Sequence, residues 1–200
     1  MFQFFTAKEV YRFDGHITSV KSMSWIDDDT GLASAAVDHK INFWKLSHDD
    51  SVNRDHTILD KNGVIFLSMA LFKVEAEKGY KMVIFASGNN GSIYVVDGKS
   101  PKLVYEAGAN FSQIVVLKGQ RAIIGGSSDQ NKPGNIQVIT YNRESENKLE
   151  PSHDLHLHNL SVTKLILTYD NKYLFSGSED GSFAFVEVLD NDTRKREPLT

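Results

Sequence analysis

Apolar residues recur at every second position along much of the chain. Met23 and Trp25, Ile41 and Phe43, Leu165 and Leu167, and Phe183 and Phe185 each stand at i and i+2, the spacing that puts two side chains on one face of a strand. No stretch carries the stripe that an amphipathic helix needs. Gly, Asn and Asp punctuate the runs, and Asn90-Gly91 and Asp180-Gly181 predict tight hairpin turns. The pattern predicts an all-β chain of short antiparallel strands.

The strands repeat in groups. Gly15–Leu46 reads GHITSVKSMSWIDDDTGLASAAVDHKINFWKL, and His158–Val188 reads HNLSVTKLILTYDNKYLFSGSEDGSFAFVEV. Placing His16 on His158 aligns Val20 with Val162, Ser34 with Ser176 and Asp38 with Asp180 without a gap, and sets Trp44 opposite Val186. Two fainter copies lie between. Met82–Asp97 puts Asn90-Gly91 at the Asp38-His39 position and Val96 at that of Trp44. Ala122–Thr140 keeps Gly134-x-Ile136 and puts Ile139 there. The uneven spacing stays close to a four-strand unit of roughly 40–45 residues.

Gly15-His16, Ser34, Asp38 and Trp44 form a GH…S…D…W pattern that resembles the WD40 repeat, and the last copy keeps His158, Ser176 and Asp180 but has neither the Gly nor the Trp. The resemblance implies a β-propeller, and it implies that these seven residues are structural tetrads tying adjacent strands of one blade. The stretch from His158 onward is also similar to the closing repeat of the axonemal WD-repeat scaffolds, in which a basic exit leads into a long coiled coil. Here the corresponding basic exit is Asp190–Glu197. That likeness implies a non-enzymatic scaffold of the ciliary or flagellar axoneme, in the cytoplasm and cytoskeleton, that supports attachment of inner dynein arms or neighbouring complexes to doublet microtubules. The implied partners are axonemal dynein-associated proteins and tubulin. The alternative is a generic cytosolic WD40 adaptor of a ubiquitin-ligase or signalling complex.

In such propellers each blade takes its outermost strand from the start of the next repeat. On that rule residues 2–13 hold strand remnants, Gln3–Phe5 and the outer strand Glu9–Phe13. Blades follow at about 16–60, 63–106, 110–155 and 158–188, and the last lacks an outer strand. The expectation is a partial WD40 propeller over 1–190, of about four blades and incomplete at both ends, with a basic tail at 191–200. Closed propellers have ~4–8 blades, and open strand edges invite pairing. The propeller is therefore expected to be completed from outside these residues, by another chain carrying the missing blades or by a longer natural protein of which this is a piece.

Composition narrows the function classes. The 200 residues are 40% hydrophobic and 24% charged, a globular balance. A net charge of -4 and a pI near 6.0 argue against a partner that is nucleic acid. The apolar runs, such as Ile114–Leu117, are too short to span a membrane, and Met1–Val10 makes a poor signal peptide. The absence of Cys removes disulfides and thiolate metal sites and fits a cytosolic protein.

His16, Ser34 and Asp38 are also the residue types of a hydrolase triad. Recurrence of the set as His158, Ser176 and Asp180, with no Gly-x-Ser-x-Gly elbow, favours a repeated structural device, so no catalytic residues are assigned. His153, His156 and His158 form an H-x-x-H-x-H cluster, but His153 falls on the other side of an extended segment from the other two. A polar inter-blade loop is the simpler reading, and no metal or cofactor is assigned. Asp27-Asp28-Asp29 and His48-Asp49-Asp50 lack the ligand spacing of a calcium loop, and Gly125-Gly126-Ser127-Ser128 lacks that of a phosphate loop. Asn110, Asn159 and Asn191 open N-x-Ser/Thr triplets that matter only in a secreted protein. Arg194, Lys195 and Arg196 are candidate contacts with an acidic partner surface. Glu75–Lys78 and Asn142–Asp154 read as long loops suited to partner binding.

Overall fold

The computed structural model of the chain describes residues 11–26, 30–47, 51–76, 79–96, 100–117, 122–127, 134–142 and 148–188. These residues form four antiparallel sheets, and the chain falls into two compact units, Met1–Phe111 and Ser112–Thr200. The first sheet is β1 (Val20–Ile26), β2 (Gly31–Ala36), β3 (Lys40–Leu46) and β4 (Val52–Leu59). The second is β5 (Phe66–Ala76), β6 (Gly79–Gly88), β7 (Ser92–Val96) and β8 (Pro101–Glu106). The third is β9 (Phe111–Leu117), β10 (Ala122–Ser127), β11 (Asn135–Asn142) and β12 (Lys148–His156). The last is β13 (Val162–Leu167), β14 (Tyr173–Ser178) and β15 (Phe183–Glu187). Each sheet keeps chain order from edge to edge, because every connection is a hairpin between neighbours.

The repeat is written into the backbone. A bulge interrupts the first strand pair at Val20/Ser22, Phe66/Ser68 and Val162/Lys164. A second interrupts the third pair at Phe43/Trp44, Ile93/Tyr94 and Val138/Ile139. Such bulges add twist at fixed points. Loop hydrogen bonds recur too: Val37 N–H donates to Ser19 C=O at 3.1 Å, and Glu179 N–H to Ser161 C=O at 3.0 Å. The turn after the second strand needs a left-handed residue in every sheet. Gly91, Gly134 and Gly181 supply it at φ 75°, 69° and 81°, and His39 adopts 61°, where a Cβ is unfavourable.

Register sorts the side chains by face. In the first sheet Met23, Ser34 and Asn42 lie directly opposite one another, as do Trp25, Leu32 and Trp44; Ser24, Ala33 and Phe43 form a row on the other face. In the last sheet Leu165, Ser176 and Ala184, and Leu167, Leu174 and Val186, form rows on one face. Ile166, Phe175 and Phe185 occupy the other. The core of the first unit joins Ala33, Ala35, Ile41 and Phe43 to Phe66, Met69, Ile84, Ala86, Tyr94 and Val96 of the second sheet. The core of the second unit joins Leu117 and Ile136 to Val162, Leu165 and Leu174. Burying each such large side chain contributes about 1.5–3 kcal/mol.

Three expectations need correction. Tyr11–Phe13, the described part of the expected outer strand Glu9–Phe13, form no strand; Phe13 instead packs edge-on against Trp44 at 5.5 Å. Gln3–Phe5 lies outside the described residues. Glu75–Lys78 is no binding loop in its described part, because β5 and β6 stay paired out to Ala76 and Gly79. Most of Asn142–Asp154 is strand β12, paired with β11 from Asn142–Lys148 onward. Asp27-Asp28-Asp29, His48-Asp49-Asp50, Ser128, Asn191 and the tail with Arg194, Lys195 and Arg196 lie outside the described residues.

Candidate functional site

The first repeat brings its four motif residues into one chain of hydrogen bonds. Trp44 on β3 and Ser34 on β2 lie on the same face, and the segment before β1 carries His16 across them. Gly15 makes that passage possible, since a Cβ there would stand 2.7 Å from the Trp44 ring. Trp44 Nε1–H donates to Ser34 Oγ at 2.8 Å. Ser34 Oγ lies 2.8 Å from His16 Nε2, and His16 Nδ1 lies 3.1 Å from both Asp38 oxygens. The carboxylate can only accept, so the proton sits on Nδ1 and Ser34 O–H donates to Nε2. Backbone N–H groups of Ile17 and Lys40 also donate to Asp38, each at 3.3 Å. Burial works against the charged carboxyl, but the bonds from His16, Ile17 and Lys40 outweigh it and hold Asp38 below the ordinary carboxylate value.

In connectivity this is a Ser-His-Asp relay, but its surroundings differ from those of a nucleophile. Ser34 is 4% exposed in the middle of its sheet, and Trp44 N–H occupies a lone pair of its Oγ. An attacking hydroxyl needs room for a substrate carbonyl and donors for the oxyanion. What the arrangement does is satisfy four buried polar groups while tying the His16 segment, β2, β3 and the turn at Asp38 together.

The last repeat departs from the same scheme. His158 Nε2 lies 2.7 Å from Ser176 Oγ, matching the first copy. His158 Nδ1 and Asp180 are 4.0 Å apart, and the direct bond expected from the motif is absent. Ser182 Oγ stands between them, 2.7 Å from Nδ1, and donates to Asp180. Asp180 also accepts the N–H groups of Ser182 and Asn159 at 2.8 and 2.7 Å. These bonds, that of the Ser182 hydroxyl foremost, hold its carboxyl far below the ordinary range. Ser182 occupies the position of Lys40, and a hydroxyl two residues after the Asp was the signal that sequence reasoning passed over.

Other candidates separate. His153 and His156 are exposed on β12 while His158 is buried, and His153 Nδ1 meets the Ser152 hydroxyl at 2.7 Å. Among the described residues no cluster of His, Cys, Asp or Glu is placed to hold a metal ion. Gly125-Gly126 lie inside β10, and a Cβ on Gly126 would sit 2.6 Å from Val162. Among the described residues no helix is long and apolar enough to cross a membrane.

The WD40 family profile (WD domain, G-beta repeat) matches residues 7–45 and 149–184. Cilia- and flagella-associated protein 57 C of Tetrahymena thermophila is 26% identical over 97% of this chain. Cilia- and flagella-associated protein 57 of Mus musculus is 26% identical over 92% of it. The chain spans 15% and 14% of the length of these two curated relatives. Among solved structures, it is similar to the β-propeller domain of Cps50 (Swd1) from Myceliophteria thermophila, with a TM-score of 0.70 at 16% identity over 94% of this chain and 57% of that one. A chain of the Mitotic Checkpoint Complex matches with a TM-score of 0.66 at 18% identity, over 88% of this chain and 52% of that one. At such identities these structures show the fold alone, a WD40 β-propeller of which this chain makes up part.

Proposed function

We propose that this chain, which carries WD40 repeats, is a non-enzymatic scaffold of the ciliary or flagellar axoneme. The observation that carries the reading is the likeness to two cilia- and flagella-associated proteins, from a ciliate and a mammal, over nearly the whole chain. A sealed hydrogen-bond relay in place of an open reactive serine supports a structural part. On this reading the chain supports attachment of inner dynein arms or neighbouring complexes to doublet microtubules. It meets axonemal dynein-associated proteins, tubulin and a further chain that completes its propeller, with the basic tail at Arg194, Lys195 and Arg196 facing an acidic partner surface.

The test is fractionation. The protein should stay with detergent-extracted axonemes through a salt wash, because a built-in scaffold is held by large interfaces that salt screens weakly. Recovery wholly in the soluble cell-body fraction overturns the reading.

A further inference from the structure

The last sheet leaves one face open, and the first leaves open the β1 strip of one face, whose Ser34 and Trp44 are buried under the His16 segment; the two exposed surfaces are of opposite kind. In the last sheet the open face carries Phe183 at 81% exposure, Phe185 at 54%, Ile166 at 54% and Phe175 at 39%. Phe185 stacks on Tyr173 at 4.8 Å and meets Phe175 at a tilt at 4.6 Å. In the first sheet the open β1 strip carries Met23 at 66%, Trp25 at 51% and Val20 at 46%.

The chain itself shows what covers each kind of face. Phe175, Phe183 and Phe185 stand at the positions of Ala33, Ile41 and Phe43, which are packed against the Met69, Ala86 and Tyr94 face of the second sheet. Those three residues form one cross-strand row, in the positions of Met23, Ser34 and Asn42. In the second unit Val162 and Leu165, at the positions of Val20 and Met23, are covered by Leu117 and Ile136 of the third sheet. So a face of the Phe185 kind receives a face of the Met23 kind, and among the described residues the last sheet exposes the one and the first sheet the other.

We propose that the aromatic face of the last sheet docks onto the Met23–Trp25 face of the first sheet in a second copy of this chain. The inference rests on the scaffold reading and deepens it, by naming a second copy as the completing chain. The exposed apolar surface supports it: each face offers on the order of 300–400 Å², close to the apolar share of the ~800 Å² per partner that a specific interface buries. Because the two faces differ, the contact is heterologous, head to tail.

The experiment is sedimentation velocity with light-scattering mass on the full chain, at micromolar concentration. The wild type should have the mass of two or more copies. Phe183→Glu/Phe185→Glu and Trp25→Glu should each weaken association by roughly a hundredfold, as loss of a central aromatic anchor does. An equimolar mixture of the two variants should regain the mass of two copies, since each retains the face the other lacks. A single-copy wild type overturns the proposal, and so does a Trp25→Glu variant that associates like wild type, or a mixture without rescue. If a Glu variant loses its β circular dichroism, Phe185→Thr, which keeps strand propensity, gives the same reading. Axonemal retention of a protein that is single-copy in solution would overturn this inference and leave the scaffold reading standing.

Discussion

The first and last sheets share a register, a bulge, a set of turn hydrogen bonds and the His, Ser and Asp of the motif, yet they put them to different use. The first puts Trp44 where the last has Val186, and binds His16 directly to Asp38 where the last inserts Ser182. The first buries Phe43 against a neighbouring sheet, and the last leaves Phe185 in the open. Backbone pairing therefore specifies the repeat, while the polar relay tolerates an extra hydroxyl so long as each buried group keeps a partner. The faces are set by what each sheet meets.

The sharpest way to break this comparison is to truncate the two equivalent phenylalanines. Phe43 is 8% exposed and stacks on His56 at 4.2 Å. Phe43→Ala should cost about 3–5 kcal/mol, on the order of 10 °C in melting temperature. Phe185→Ala, measured in solution dilute enough to keep copies apart, should cost less than about 1 kcal/mol. Equal losses in thermal melts would show that the Phe185 face is covered within a single chain.

The two relays give the next contrast. Asp38→Ala leaves buried His16 without its acceptor and should cost about 1–3 kcal/mol, whereas Ser182→Ala should cost about 0.5–1.5 kcal/mol because Asp180 remains near His158. Urea midpoints read both, and the reverse order would make the indirect relay the stronger one. The pH dependence follows from Asp38. Its carboxyl lies below the ordinary value in the folded chain, so the unfolded chain takes up the proton first as pH falls. The stabilisation is thus whole above about pH 5 and drains away as pH drops through the ordinary carboxyl value of ~3.9 and then the folded one. In urea titrations across that window, Asp38→Asn should flatten the acid limb, and an unchanged limb would assign it to other carboxyls.

Much of this was legible in the sequence, for reasons that differ by region. The period of two and the Asn90-Gly91 and Asp180-Gly181 pairs announce strands and turns, because alternation and left-handed glycine are local requirements of the backbone. The first relay was legible because three of its four residue types recur at a fixed spacing in the last copy. Ser182 was not, since a sequence does not show that a hydroxyl has room between two partners. Asn142–Asp154 misled because it is polar and holds Pro151. In the fold Pro151 sits beside the bulge of β12, an edge strand, where a missing N–H does little harm.

The smallest effect sharpens the comparison at the turn. His39 holds a left-handed conformation that the other sheets give to glycine, and its Nδ1–H donates to Val64 C=O at 3.2 Å. His39→Gly relieves about 1 kcal/mol of backbone strain, but it also removes that bond and adds unfolded-chain entropy. The gain and the losses nearly cancel, so the change should be a loss of less than about 1 kcal/mol. At Gly181 no atom lies within 4 Å of an added Cβ, so Gly181→Ala isolates the backbone term and should cost about 1–2 kcal/mol. If His39→Gly raises the melting temperature, the bond to Val64 contributes nothing, and His39 is tolerated at that turn rather than selected by it.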